Sequence, residues 1–333
     1  MQRKINYVCT IGPSTKSIKV LRKLNKLGMN MVRFNMSFDT PDLANIVNGI
    51  NKLNQKRNVN IKTVFDLAGT ETRIIAKQDI VFRKDDIIVI GQDFTIDQGD
   101  LRVLDIGDDI YIRDGELVIK VVKNENDLVY CQAMSDGSIR NNNKLYNAKL
   151  YRNLPFISQK DERNISLALA NKADYIAISH TRNKQDIDQI KSAINYPHSN
   201  IKIISKIENL EATKNLDEII AESDGIMIAR GDLGKILPDE ELGYYQKVIT
   251  EKTLAADKIL MTATGYLLSM VDSYEPTRAE VIDLFSAFAD NIRNIVFTSE
   301  VVIAKDPVNT LKTANKIYKS FKKYQQKNKR LTN

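Results

Sequence analysis

Ile201-Lys-Ile-Ile-Ser-Lys206 and Gly225-Ile-Met-Ile-Ala229 are short, β-branched apolar runs that lead into charged residues, Lys206 and Arg230. Runs this continuously apolar are buried on both faces, the mark of a parallel sheet covered by helices. Working outward, similar runs stand at Tyr7-Val-Cys-Thr-Ile-Gly12, Met31-Val-Arg-Phe-Asn35, Lys62-Thr-Val-Phe-Asp66 and Tyr175-Ile-Ala-Ile-Ser179. Lys258-Ile-Leu-Met-Thr262 and Asn294-Ile-Val-Phe-Thr298 complete a set of eight. Helical periods separate them. Ile18, Leu21, Leu24 and Leu27 form one such face, which Gly28 closes as a helix stop. Ile165, Leu167, Leu169 and Ala170 are read as another.

The run ends fall near residues 10, 35, 66, 179, 206, 230, 262 and 298. Every interval but one suits a single strand-helix unit. The interval from 66 to 179 is too long by roughly 80 residues, and the 333-residue chain exceeds a barrel of roughly 250 by the same amount. The predicted fold is therefore α/β, a (β/α)8 TIM barrel with a small all-β lid domain inserted after strand 3. The barrel is assigned to 1–70 and 155–333, and the insert to 71–154. Strand-like runs in the insert include Asp86-Ile-Ile-Val-Ile90, Asp109-Ile-Tyr-Ile112 and Leu117-Val-Ile-Lys-Val-Val122. Turn signals at Gly91-Gln-Asp, Gly107-Asp-Asp, Asp114-Gly115 and Asp136-Gly137 separate them. Asn141-Asn-Asn-Lys144 is read as a polar hinge at the exit.

Composition narrows the class. With 43% apolar and 27% charged residues, 14 Gly and 7 Pro, the chain is neither collagenous, nor disordered, nor a disulfide scaffold. No stretch approaches the ~20 apolar residues of a membrane span. Met1-Gln-Arg-Lys-Ile-Asn6 is followed by no long apolar run, so no secretory signal is expected and a cytoplasmic location is. Cys9 and Cys131 sit in separate apolar segments and read as reduced, buried thiols. With only His180 and His198 beside them, a zinc site is not expected. The net charge of +7 is concentrated in 308–333, which carries eight basic and no acidic side chains, from Lys312 to Arg330. The rest of the chain sums to −1. A basic terminal helix reads first as a solvated face, and no basic stripe interleaved with aromatics points to specific nucleic-acid recognition.

Chemistry in such barrels sits where strands end. Those ends are polar here. They carry Arg33, Asn35 and Ser37 after strand 2, and Asp66, then Glu71 and Arg73, after strand 3. Ser179, His180 and Arg182 follow strand 4, Lys206 and Glu208 end strand 5, and Arg230 and Asp232 follow strand 6. Thr262 and Thr264 end strand 7, and Thr298 and Glu300 end strand 8. Carboxylates and basic groups converging on one mouth suit a divalent metal and a phosphorylated substrate. Oxygen ligands hold Mg²⁺, while Lys and Arg neutralise transferring phosphoryl oxygens. The glycines of Gly231-Asp-Leu-Gly-Lys-Ile236 let backbone N–H groups approach an anion.

Ile204-Ser-Lys-Ile-Glu-Asn209, Ser223-Asp-Gly-Ile-Met-Ile-Ala-Arg-Gly-Asp-Leu-Gly234 and Pro276-Thr-Arg-Ala-Glu280 strongly resemble the pyruvate kinase family. So do Val8-Cys-Thr-Ile-Gly-Pro-Ser14 and Gly28-Met-Asn-Met-Val-Arg-Phe-Asn-Met-Ser37, in family order across essentially the whole chain. The resemblance implies phosphoryl transfer between phosphoenolpyruvate and ADP, giving pyruvate and ATP in glycolysis, with Mg²⁺ (or Mn²⁺) and K⁺. Glu208 and Asp232 would bind the divalent metal, and Lys206 would stabilise the phosphoryl group in flight. Arg33 and Arg73 would contact the transferring phosphate, and Thr264 would lie beside the enolate carbon. Gly231, Asp232, Thr264 and Lys206 would bind substrate. Asn35, Ser37, Asp66 and the Leu67 carbonyl would hold the monovalent cation. In the family the position of Glu71 tends to be glutamate where potassium is needed and lysine where it is not.

Some positions depart from the pattern. The family's Asp-Thr-Lys-Gly-Pro-Glu-Ile-Arg stands here as Asp66-Leu-Ala-Gly-Thr-Glu-Thr-Arg73, and its His-Gly as Phe38-Asp39. Arg182-Asn183 replaces an Arg-Lys pair, Thr298-Ser-Glu-Val-Val-Ile-Ala304 replaces Ser-Gly-Glu-Thr-Ala-Lys-Gly, and Ala263-Thr-Gly265 replaces Ala-Thr-Gln. The metal and phosphoenolpyruvate side is kept and the nucleotide side is altered. The insert is expected to close over the mouth when nucleotide and metal bind. The sequence also ends about one domain short of the family's usual α/β C-terminal domain, so activation by sugar phosphates through that domain is not expected. Two other readings stay open. One keeps phosphoenolpyruvate or pyruvate chemistry with another acceptor, in polysaccharide or secondary metabolism. The other is a non-catalytic binding homologue, against which the joint presence of Lys206, Glu208, Asp232 and Arg73 stands. The oligomeric state is left open, a homo-oligomer included.

Overall fold

The computed structural model describes residues 5–331 other than Asp114, Asn126 and Asn153. The start of the chain through Lys4 and the Asp114 half of one expected turn therefore lie outside the described residues. The chain divides into two compact units, Met1–Ala68 with Gln159–Asn333, and Gly69–Ser158.

In the first unit eight parallel strands close into a barrel. They are β1 (Asn6–Thr10), β2 (Met29–Asn35), β3 (Lys62–Asp66), β4 (Tyr175–Ile178), β5 (Lys202–Ile207), β6 (Gly225–Ala229), β7 (Ile259–Ala263) and β8 (Asn294–Phe297). Each pairs with its chain neighbour, and β1 closes the ring on β8, with Asn6 opposite Asn294. Their apolar continuity has the expected cause, since all five residues of β6 are buried. Val8, Met31, Val64, Ala177, Ile204, Met227, Met261 and Val296, one from each strand, fill the interior.

Helix α1 (Ile18–Lys26) buries Leu21 and Leu24. It stops because Gly28 adopts φ +105°, a left-handed conformation that only glycine takes without strain. The helix Gln159–Ala170 departs from expectation. It buries Asp161, Asn164, Ile165 and Ala168, whereas Leu167 and Leu169 are exposed. At 100° per residue, 161, 164, 165 and 168 share one side, and 167 and 169 flank it on opposite edges. Asp161 is buried for a reason the apolar pattern does not show: its Oδ1 accepts the Ala68 N–H at 2.9 Å. The long helix Pro307–Leu331 packs on Arg278–Ala289, with Phe288 edge-on to Tyr318.

The second unit is antiparallel, a seven-stranded sheet with a two-stranded ribbon. Its core includes Ile88, Ile90, Ile110, Ile119, Val129 and Leu145, all essentially inaccessible. A short helix, Ala148–Arg152, and a 3-10 turn, Leu101–Val103, add to the strands expected there. At Gly91, φ is +98° and a Cβ would stand 2.2 Å from the Asp127 carbonyl oxygen, so this turn accepts only glycine. Asn141-Asn-Asn-Lys144 is not the exit hinge. It turns Gly137–Ile139 into Lys144–Tyr146, which pairs with Thr72–Ile75 and Asp109–Ile112, so the segment lies inside the sheet and the unit runs on to Ser158. Polar turn chemistry marks a chain reversal as readily as a boundary.

Cys9 and Cys131 are unpaired and buried. Burial pushes both thiols up, that of Cys131 to about 12. Among the described residues no helix is long and apolar enough to cross a membrane.

Candidate active site

Side chains two apart on a strand point the same way. The interior column therefore continues from the apolar layer to the strand ends: Val8 to Thr10, Met31 to Arg33 and Asn35, Val64 to Asp66, Ala177 to Ser179, Ile204 to Lys206 and Glu208. One step of the column turns a packed core into a charged floor.

That floor is a connected chain of charges. Arg33 Nε donates to Asp66 Oδ2 at 2.5 Å, and its Nη1 donates to Thr10 Oγ1 at 3.1 Å. Lys206 Nζ lies 3.5 Å from Asp66 Oδ1 and 3.0 Å from Glu208 Oε2, and it donates to Ser179 Oγ at 2.7 Å. Ser179 in turn donates to the Leu67 carbonyl at 2.8 Å. Glu208 Oε1 accepts the His180 N–H at 2.5 Å, from a residue at φ +56°. Asp66 and Glu208 are 1% and 4% exposed, Lys206 8% and Arg33 9%. Burial alone would depress the Lys206 pKa, but Asp66, Glu208 and Asp232 outweigh it and raise it above the ordinary lysine value. Burial would raise the Asp66 pKa, but Arg33 and Lys206 outweigh it and hold it below the ordinary carboxylate value. Lys206 is thus a permanent cation and Asp66 a permanent anion across the neutral range.

Beside this chain stands a strained turn. Thr264 has φ +79°, which a β-branched residue adopts only when its surroundings impose it. Arg230 imposes it. Its Nε and Nη2 donate to the Thr264 carbonyl at 3.0 and 2.6 Å. The guanidinium stacks 3.9 Å from the Tyr266 ring centroid and pairs with Asp283 at 2.9 Å. Glu300, fully buried, accepts the Gly265 N–H through Oε1 and the Thr298 N–H through Oε2. Gly231 lies against this turn, where a Cβ would come 3.1 Å from Thr264 Cγ2.

The structure thus joins Arg33, Asp66, Leu67, Lys206 and Glu208 in one network, and sets Gly231 against Thr264. Asn35 is the register partner of Asp66 across β2 and β3, and its Oδ1 accepts the Ser37 N–H at 3.2 Å. Asp232 lies 3.4 Å from Lys235. Arg73 and Glu71 belong to the other unit, where they pair with each other, and Glu71 also meets Lys144 at 2.9 Å. Tyr266 and Asp283 were not singled out in the sequence. Tyr266 sits in an apolar-looking Tyr-Leu-Leu run, and its partner Arg230 is far away in the chain. A cavity of about 570 Å³ opens beside Arg33 and Asn35, lined also by Gly12, Lys16, Phe38 and Ser299.

A divalent metal fits the donors. Glu208 Oε2 is buried without a hydrogen bond and meets only the Lys206 ammonium, and Asp232 adds a second carboxylate near the same ammonium. Among the described residues no cluster of three or more His, Cys, Asp or Glu could hold a metal by itself. Two carboxylates suit Mg²⁺, which is commonly held by one or two protein carboxylates, and Glu208 and Asp232 would supply them.

A buried ammonium between carboxylates at the open end of a parallel barrel is the equipment of a metal-assisted phosphotransferase. The pyruvate kinase barrel domain matches residues 2–311. The chain is 33% identical over 321 residues to a pyruvate kinase of Methanocaldococcus jannaschii, covering 96% of this chain and 70% of that one. It is 31% identical to the pyruvate kinase of Thermococcus litoralis, covering 97% of this chain and 70% of that one, and 30% identical to that of Thermotoga maritima, covering 96% and 72%. The chain belongs to the pyruvate kinase family, and it is a kinase of the pyruvate kinase type.

Proposed function

We propose that this site transfers the phosphoryl group of phosphoenolpyruvate to ADP with Mg²⁺ (or Mn²⁺) and K⁺, in the cytoplasm. The observation that carries the residue roles is Lys206, a desolvated cation fixed between Asp66 and Glu208. A preorganised charge aimed at a migrating phosphoryl group stabilises it without reorganising. Glu208 and Asp232 would hold the divalent ion, which neutralises phosphoryl and enolate oxygens when bound. Arg33, anchored by Asp66 and Thr10 at the cavity wall, would bind phosphate. Gly231 and Thr264 would bind the pyruvate end. Phe38, 71% exposed, lines the same cavity and would face the nucleotide. Pyruvate release from phosphoenolpyruvate, measured across ADP, GDP and UDP, tests this reading. Turnover with ADP is expected, and none with any diphosphate would leave phosphoenolpyruvate chemistry with another acceptor.

K⁺ is the ion expected beside Asn35, Ser37, Asp66 and Leu67. These supply hard oxygens at and just past the ends of adjacent strands, which suit a monovalent cation of low charge density. In tetramethylammonium buffer the wild type should be strongly activated by KCl, and Glu71→Lys should respond less. Full activity without K⁺ or Na⁺ would make Asp66 only the partner of Arg33 and Lys206.

A further inference from the structure

Three stretches of the barrel unit contain no Asp or Glu, namely 8–38, 43–65 and 307–333. Read along the chain, only the last looks unusual. The fold sets their helices side by side, for α1 packs on both Leu43–Asn54 and Pro307–Leu331. Lys19, Arg22, Lys23 and Lys26 are exposed on α1, and Lys52, Lys56 and Arg57 on or just past the second helix. Lys312, Lys316, Lys319, Lys323 and Lys327 are exposed on the third. Among the described residues, none of these side chains forms an ion pair. The whole chain is only +7, less than this face carries, so the rest of the surface is net acidic.

This face works against its own stability. Lys19 and Lys23, Arg22 and Lys26, Lys312 and Lys316, Lys319 and Lys323 are like charges at i,i+4, each pair destabilising its helix. A bound polyanion removes that repulsion and releases its counterions. The contacts on offer are almost purely electrostatic, since Tyr324 is the one large exposed hydrophobic on these three helices among the described residues. A membrane surface would find a single apolar anchor and unpaired bases a single ring to stack on, too few for either to carry the binding. A helix of 25 residues spans about 37 Å, on the order of ten base pairs of duplex. We propose that this three-helix face binds the phosphodiester backbone of a nucleic acid without reading its sequence.

The test is fluorescence anisotropy of a labelled 20-base-pair duplex of mixed sequence (about 37 Å needs roughly half of it) with the whole chain. Binding is expected at about 50 mM KCl and should weaken at least a hundredfold by about 200 mM, as several phosphate contacts require. The variant Lys19→Gln/Lys23→Gln/Lys316→Gln/Lys323→Gln should bind at least tenfold more weakly with unchanged pyruvate release. The control Lys172→Gln/Lys202→Gln/Lys214→Gln, exposed residues elsewhere on the barrel, should bind like wild type. No binding at low salt, equal loss in the control, or capture by phosphatidylserine vesicles with none by duplex would overturn the proposal.

Discussion

Lys206→Met should lower kcat by about a hundredfold to a thousandfold, the loss typical of removing one preorganised electrostatic group. The KM for phosphoenolpyruvate should change little, because the lost interaction acts on the group in transit. The same substitution has a second consequence. Lys206 is the cation between Asp66 and Glu208, and removing it takes the ammonium away from buried Glu208 and leaves Asp66 with Arg33 alone. Breaking such a pairing typically costs about 3–5 kcal/mol of stability, so a lower melting temperature should accompany the kinetic loss. Added Mg²⁺ should recover part of that stability by replacing the missing positive charge. Steady-state kinetics well below the variant's melting point, with a thermal scan with and without MgCl2, separates the two. Wild-type kcat in the variant would remove Lys206 from the chemistry.

The second large effect is expected at Arg230, a positioning residue. Its two bonds to the Thr264 carbonyl hold a backbone at φ +79°. A conformation of that kind costs about 1–3 kcal/mol and relaxes once its restraints go. With Arg230→Met the Thr264 hydroxyl should move by a fraction of its own size, and a displacement of about 1 Å can cost roughly a hundredfold in rate. Solvent exchange of the pyruvate methyl protons should fall at least as much as phosphoryl transfer if Thr264 lies beside the enolate carbon, as proposed. Arg230→Lys should recover a part by keeping a donor to the carbonyl. Tyr266→Phe keeps the ring under Arg230 and loses only the bond of its hydroxyl to Thr262, so it should stay near wild type. Equal kcat in wild type and Arg230→Met, with only stability reduced, would make Arg230 a packing residue.

The barrel was legible because its strands are continuously apolar and their spacing is regular. Lys62–Asp66 and Gly225–Ala229 fall on the residues read from sequence. The mouth was legible for the same reason, since interior positions two apart carry Ile204 then Lys206, Val64 then Asp66. What escaped was set by contacts across the chain. The helix Gln159–Ala170 hides Asp161 because a backbone N–H from Ala68 needs an acceptor there, and no apolar period reports that. Asn141-Asn-Asn-Lys144 carries turn chemistry, and only strand pairing shows that the turn is internal. The Arg230–Tyr266 stack joins residues on different strand ends, so Arg230 reads from sequence only as a strand-end charge and Tyr266 as part of an apolar run. The basic face was half legible: the terminal lysines stood out, but the topology brings them beside α1 and Leu43–Asn54.

Phosphoryl transfer from phosphoenolpyruvate to ADP can be followed directly by phosphorus NMR of the protein with both substrates, MgCl2 and KCl. The phosphoenolpyruvate resonance should fall as the γ-phosphate of ATP rises, one for one, and both changes should stop when Mg²⁺ is chelated. Phosphoenolpyruvate consumed with only inorganic phosphate appearing, or no change while the same sample binds phosphoenolpyruvate, would contradict it.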